Sequence, residues 1–328
     1  MTATSTNTDE LAVTIKRPDT IGSFVGQSEL MNRLNVIIAG SKAREVRPPH
    51  ILFSGAPGLG KTSLAAIVAN ELNAKFTSVV ASRLQRVGDI ANVLFSLSNE
   101  RLNVLFIDEI HSLPPRVEEV LYEALEDGRM SIVSGTGAEA QVVTLNLPQF
   151  VCIGATTLSG LVSAPLRDRF GFHGTLRPYT DRELGELVAR HIQSLGVPSS
   201  EVEEVAEVIA RCARQTPRIA LHLTERVLDF AYANTLPLDI LTARLALKSF
   251  GLNAWGLTAF DRLIVRALVN HHAPMGIKAL SQVVGIPVES IERENEQFLI
   301  HQGLVVRGPL GRSATALAHQ LVQQGEMD

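Results

Sequence analysis

The segment Gly55-Ala56-Pro57-Gly58-Leu59-Gly60-Lys61-Thr62 constrains this chain more than any other. It fits the pattern G-x-x-x-x-G-K-[ST], and its flanks suit that pattern. Residues 50–54 (HILFS) read as a short buried strand, and residues 63–72 (SLAAIVANEL) carry helical periodicity rich in Ala, Leu and Glu. A strand that runs through a glycine loop into a helix aims backbone N–H groups and a helix N-terminus at one point, which suits a phosphate. In that geometry Lys61 neutralises the β- and γ-phosphates and the Thr62 hydroxyl ligates Mg²⁺.

The surrounding sequence predicts an α/β sheet domain. Residues 103–107 (NVLFI) and 150–155 (FVCIGA) read as buried strands, and residues 117–126 as an amphipathic helix. Residues 130–147 alternate around Gly135-Thr136-Gly137 and predict a β-hairpin. After Tyr179 the pattern turns helical to about residue 249. From Thr258 on come three short helices and a strand–turn–strand over residues 303–312, the outline of a winged helix. The expected organisation is a tail (1–15), a sheet domain (16–180), a helical domain (181–254) and a winged-helix module (255–328).

Composition excludes several classes. With 45% hydrophobic and 20% charged residues the chain is globular. No apolar run approaches the roughly 18–20 residues of a membrane span. The first eleven residues (MTATSTNTDEL) lack the basic start and apolar core of a signal peptide, which predicts a cytoplasmic protein with a disordered polar tail. Cys152 and Cys212 sit in apolar or helical stretches and read as buried thiols in a reducing compartment. The net charge of −4 leaves any DNA contact to a local patch.

Three further clusters carry chemistry. The apolar run from Val104 ends in Asp108-Glu109, which places Asp108 at the sheet's carboxyl edge to hold Mg²⁺ and its waters. Glu109 would then polarise the attacking water as general base. The strand at 150–155 stops in Thr156-Thr157, whose hydroxyls either reach the water and γ-phosphate or simply end the strand. Arg167-Asp168-Arg169 offers arginines that stabilise phosphoryl charge bidentately, supplied to a neighbouring subunit, or an ion pair with Asp168 within the domain. Arg218, after Thr216-Pro217, starts a helix and either senses nucleotide or lies on the surface. His111 reads as structural, and His271-His272 lack further ligands at zinc spacing.

In order and wording GAPGLGKTSLA, LFIDEIHSL, VEEVLYEALED, IGATT, APLRDRFG and TPRIA resemble the RuvB family, hexameric Holliday-junction branch-migration motors of the AAA+ class. The resemblance runs from about Arg17 to Thr315. It implies an AAA+ P-loop domain, a helical lid and a C-terminal winged helix, with ATP and Mg²⁺ as ligands. Gly58, Gly60, Lys61, Thr62 and Ser63 would bind phosphate, with Thr62 and Asp108 toward the metal and Glu109 activating water. Thr156 would be the first sensor, Arg169 the finger acting in trans and Arg218 the second sensor. Arg17, Pro18 and Tyr179 match positions that enclose the nucleotide. The resemblance further implies docking of a RuvA partner through apolar tip contacts of the 130–147 hairpin, Val143 and Leu145. Arg307 and Arg312 match DNA-contacting arginines of the wing.

The chain departs from the family pattern at Leu158, at Leu221 and in a wing one arginine short. Residues 255–328 hold six Lys/Arg against seven Asp/Glu, so one subunit should grip DNA weakly and a ring would multiply the contacts. The alternative is a clamp-loader-like or remodelling ATPase with a different protein partner, which the hairpin's role would distinguish. A nucleotide-binding scaffold is disfavoured by the intact lysine, acids and finger.

Overall fold

The computed structural model describes residues 18–134, 141–271 and 273–327. The predicted tail, Arg17, the hairpin turn at Gly135-Thr136-Gly137 and His272 lie outside them. The chain divides into two compact units between Tyr179 and Thr180.

The first unit is built on five parallel strands: β1 (Ile51–Ser54), β2 (Lys75–Val80), β3 (Asn103–Asp108), β6 (Phe150–Thr156) and β7 (Phe172–Thr175), in the order β2-β3-β6-β1-β7. The central strands are apolar on both faces, as a sheet covered on two sides requires. Leu52, Leu105, Ile107, Phe150 and Cys152 join a core with α3 (Val87–Phe95) and α4 (Pro115–Asp127). Their alternates Ile51, Phe53, Val104, Phe106, Val151 and Ile153 are equally buried, and α2 (Lys61–Glu71) packs on β3 and β6. Helix α1 (Ser28–Ala43) precedes β1, and the short α5 (Ala164–Asp168) sits between β6 and β7. Each large apolar side chain buried here stabilises by roughly 1.5–3 kcal/mol.

The antiparallel pair β4 (Arg129–Ser134) and β5 (Gln141–Asn146) forms the predicted hairpin. Its register sets Leu145 opposite Met130 and Val143 opposite Ile132, one pair in from the base and mid-strand respectively. Val143 and Leu145, expected as tip contacts, lie within β5, 39% and 36% exposed. Residues i and i+2 share a strand face, so they form one apolar strip.

The second unit opens with helices α6 (Asp181–Ser194), α7 (Val202–Cys212), α8 (Pro217–Ala233) and α9 (Ile240–Ser249). Thr180 caps α6 in a reciprocal capping box with Glu183. The winged helix follows: α10 (Ala259–His271), α11 (Ile277–Val284), α12 (Val288–Ser290), a π-helical turn Ile291–Glu296, α13 (Gln297–His301), the β8 (Val305–Gly308) and β9 (Gly311–Ala314) wing, and α14 (Ala316–Gln323). Gly311 makes the wing possible: at φ +133 a Cβ there would stand 2.4 Å from the Met275 carbonyl oxygen. Both cysteines are free and buried, and burial pushes the Cys212 thiol up to about 11. Among the described residues no helix is long and apolar enough to cross a membrane.

Candidate functional site

The parallel sheet gathers the first unit's functional side chains at one edge. β3, β6 and β1 are neighbours, and the register sets Ser54 beside Thr156 and Val80 beside Asp108. The glycine loop leaves β1, Asp108 ends β3 and Thr156 ends β6, all at the carboxyl ends where parallel sheets bind ligands. The Gly55 N–H donates to the Thr156 carbonyl, 3.2 Å, which ties the loop's start to β6.

The loop is shaped for an anion. Gly55, Gly58 and Gly60 all have positive φ (147°, 79° and 103°), and a Cβ on Gly60 would press on the Phe24 ring at 3.3 Å. Gly60 then caps α2, whose first residues are Lys61, Thr62 and Ser63. The Lys61 ammonium donates to the Gly55 and Ala56 carbonyls at 2.8 and 3.0 Å, so its charge is folded into the loop's own concavity. That placement fits a phosphate, and the hard oxygens of Thr62 and Asp108 are ligands of the kind Mg²⁺ takes. Among the described residues no cluster of three or more His, Cys, Asp or Glu forms a cage that could hold a metal by itself. A metal bound through one carboxylate, one hydroxyl and phosphate oxygens needs none.

Asp108 accepts from the Glu109 N–H at 3.0 Å. Glu109 itself is left-handed, φ +53, and the chain turns sharply into a 3-10 turn, Ile110–Ser112. The turn returns His111 to the sheet edge: its Nδ1 is 2.9 Å from the Thr156 hydroxyl and its Nε2 is 3.3 Å from Glu109 Oε2. Thr157 donates to the same Glu109 oxygen at 3.3 Å. Sequence reasoning gave His111 a structural role; the turn three residues past Asp108 was the signal that it returns.

Arg169 lies at the C-terminus of α5, paired with Glu126 at 2.7 Å. Its Nε is buried without a hydrogen-bond partner among the described residues. Ser163 caps α5, and its hydroxyl donates to Glu118 at 2.7 Å, so α4 anchors this arginine's helix at two carboxylates. Arg167 makes no Asp168 pair; it donates to the Ser159 and Val162 carbonyls, each 3.0 Å. Tyr179, 3% exposed, closes the first unit, with Pro18 half-buried. Arg218 is exposed in the first turn of α8, in the second unit.

The wing corrects one expectation. Arg312 is 7% exposed, and its guanidinium grips Glu296 through two bonds at 3.0 and 2.9 Å and reaches Glu292 at 3.3 Å. The Glu296 hydrogen bond, against some desolvation, holds its pKa above the ordinary arginine value. Held by two carboxylates, Arg312 fastens the wing from within, where a surface cation was expected. Arg307 stays on the surface, its side chain 63% exposed.

This arrangement matches known proteins throughout. Residues 16–176 match the Holliday junction DNA helicase RuvB P-loop domain, 179–253 the RuvB AAA lid domain and 254–323 the RuvB C-terminal winged helix domain. The Holliday junction branch migration complex subunit RuvB of Staphylococcus haemolyticus is 40% identical over 93% of this chain and 92% of its own length. That of Corynebacterium diphtheriae is 40% identical over 92% of this chain and 83% of its own. The solved Thermotoga maritima RuvB Holliday junction branch migration motor superposes with a TM-score of 0.76 at 34% identity, covering 94% of this chain and 98% of that one. The chain belongs to the RuvB family.

Proposed function

We infer that this chain is an ATP-hydrolysing DNA motor that drives branch migration of Holliday junctions in recombination and repair. One observation carries the reading: Lys61, Thr62, Asp108, Glu109 and Thr156 converge on one sheet edge, in a chain that matches RuvB domains from residue 16 to 323. Lys61 and the loop amides hold the nucleotide's phosphates, with Gly58, Gly60 and Ser63 beside them. Thr62 and Asp108 hold Mg²⁺, which when bound draws charge off the phosphate oxygens. Glu109 accepts the proton of the attacking water, and Thr156 reads the γ-phosphate. Arg17, Pro18 and Tyr179 are the residues that family membership assigns to the nucleotide, and Arg218 is assigned the second-sensor role.

Arg169 completes the site of a neighbouring subunit in a ring of six, so hydrolysis depends on assembly. The β4–β5 hairpin docks a RuvA-like partner through the Val143–Leu145 strip, and Arg307 contacts duplex phosphates from the wing. The motor works in the cytoplasm. The test is ATPase activity with and without four-way-junction DNA and a RuvA-type protein. Both should stimulate turnover, and Leu145→Asp should abolish the protein's share alone. A rate indifferent to both additions would reject the motor and favour an ATPase that acts on a different partner.

A further inference from the structure

The LFIDEIHSL segment holds a connection that the nucleotide site's basic parts leave unexplained. Thr156 is fully buried at the end of β6, and its hydroxyl oxygen already accepts from the Leu158 N–H at 3.0 Å. His111 lies between this hydroxyl and Glu109, its side chain only 10% exposed. One imidazole therefore touches both groups: Nδ1 shares a hydrogen bond with the Thr156 hydroxyl at 2.9 Å, and Nε2 stands 3.3 Å from Glu109 Oε2 as a close polar contact. Thr157 bonds the same Oε2, and Glu109 Oε1 keeps the lone pairs a water would use.

We propose that His111 is the positioning residue of this ATPase: it orients the Glu109 carboxylate and ties that orientation to the Thr156 hydroxyl. The proposal rests on reading Glu109 as general base. Glu109 needs such a tether because its side chain starts from a left-handed residue at a turn and is 39% exposed. On that backbone a carboxylate without partners samples several rotamers. A γ-phosphate that engages the Thr156 hydroxyl would compete with Nδ1 for it. Occupancy of the nucleotide site thus alters the hold on Glu109 through one imidazole.

The test is single-turnover hydrolysis by the full-length protein carrying His111→Ala or His111→Gln, each in the native and the Glu109→Gln background, alongside affinity for a fluorescent ATP analogue. His111→Ala should slow hydrolysis at saturating ATP by about 10²-fold, the cost of a misplaced reacting group. Affinity should stay within about twofold, a loss confined to the chemical step. His111→Gln, which offers an N–H donor near Nε2 and serves as the folded control, should recover about tenfold of that loss. In the Glu109→Gln background His111→Ala should add less than about twofold, because its effect runs through the carboxylate. Hydrolysis by His111→Ala at the native rate would overturn the proposal alone. So would a loss that multiplies in full with Glu109→Gln, or one matched by an equal loss of affinity. Native hydrolysis by Glu109→Gln would overturn the general-base reading as well.

Discussion

Removal of Arg214 should weaken the second unit severely. It stands in the left-handed region, φ +50, in the turn between α7 and α8. Its Nη2 donates to Asp261 Oδ2, its Nη1 to the Glu294 carbonyl, and its guanidinium lies 4.6 Å from the Phe298 ring centroid. Asp261 is fully buried. It also accepts from the Thr258 amide at 2.8 Å, the Thr258 hydroxyl at 2.7 Å and Asn295 at 2.7 Å. Arg214→Ala removes the only cation from that carboxylate's bonds among the described residues and leaves three neutral donors. Stranding one partner of a buried pair costs about 3–5 kcal/mol.

The assay is urea unfolding followed by the fluorescence of Trp255, the chain's single tryptophan, which packs against the winged-helix core. With a slope of about 2 kcal/mol/M the midpoint should fall by about 1.5–2.5 M. Arg214→Gly supplies an internal control. A left-handed residue with a Cβ is strained by roughly 1–2 kcal/mol, so the glycine variant should be the more stable of the two by about that amount. A midpoint shift below about 0.5 M would refute the buried-pair argument. A glycine variant no better than the alanine would refute the strain argument.

Three further outcomes are expected. Arg169→Ala should lose ATPase activity by about 10³-fold or more, yet a mixture with Lys61→Ala subunits should regain activity at shared interfaces; no recovery would remove the trans role. Arg307→Ala should lower the salt slope of DNA binding by about 0.9 per subunit, whereas Arg312→Ala should destabilise the Trp255-reported transition by about 3–5 kcal/mol, because it strands Glu296. His50 gives the first unit an acid limit. Its Nδ1 accepts from the Cys152 N–H and its Nε2 donates to the Leu125 carbonyl. Burial, with Arg47 beside it, lowers its pKa to about 4. The unfolded chain binds that proton near 6.5 and the folded one near 4, so stability is complete above 6.5 and falls by about 3 kcal/mol on acidifying to 4. In far-UV dichroism His50→Gln should flatten this part of the pH dependence, and an unchanged slope would contradict the assignment.

What was legible in the sequence and what was not follow from how local the signals are. The glycine loop, the strand-ending acids and IGATT each fall within one contiguous stretch, where hydrophobic runs and glycine φ requirements carry the information. Pairings across the fold left no such trace. Arg312 sits in a basic-looking hairpin, and only the π-helical turn at 291–296, which brings Glu292 and Glu296 to it, turns it inward. Arg169 reads as an exposed finger until α4 supplies Glu126. Asp261 reads as a first-turn helix acid, but is fully buried because Arg214, 47 residues earlier, reaches it. His111 sat in plain view, and its role depends on a left-handed Glu109 that no residue type demands.

The claim that the Lys61, Asp108 and Glu109 site drives movement of DNA junctions is tested most directly by strand exchange itself. A labelled synthetic four-way junction is incubated with this chain, a RuvA-type protein, Mg²⁺ and ATP, and the release of duplex arms is followed over time. The wild-type chain should resolve the junction into duplexes only when ATP is hydrolysed, and Glu109→Gln should bind ATP yet release none. Equal release by Glu109→Gln, or none by an active wild-type ATPase, would contradict the account.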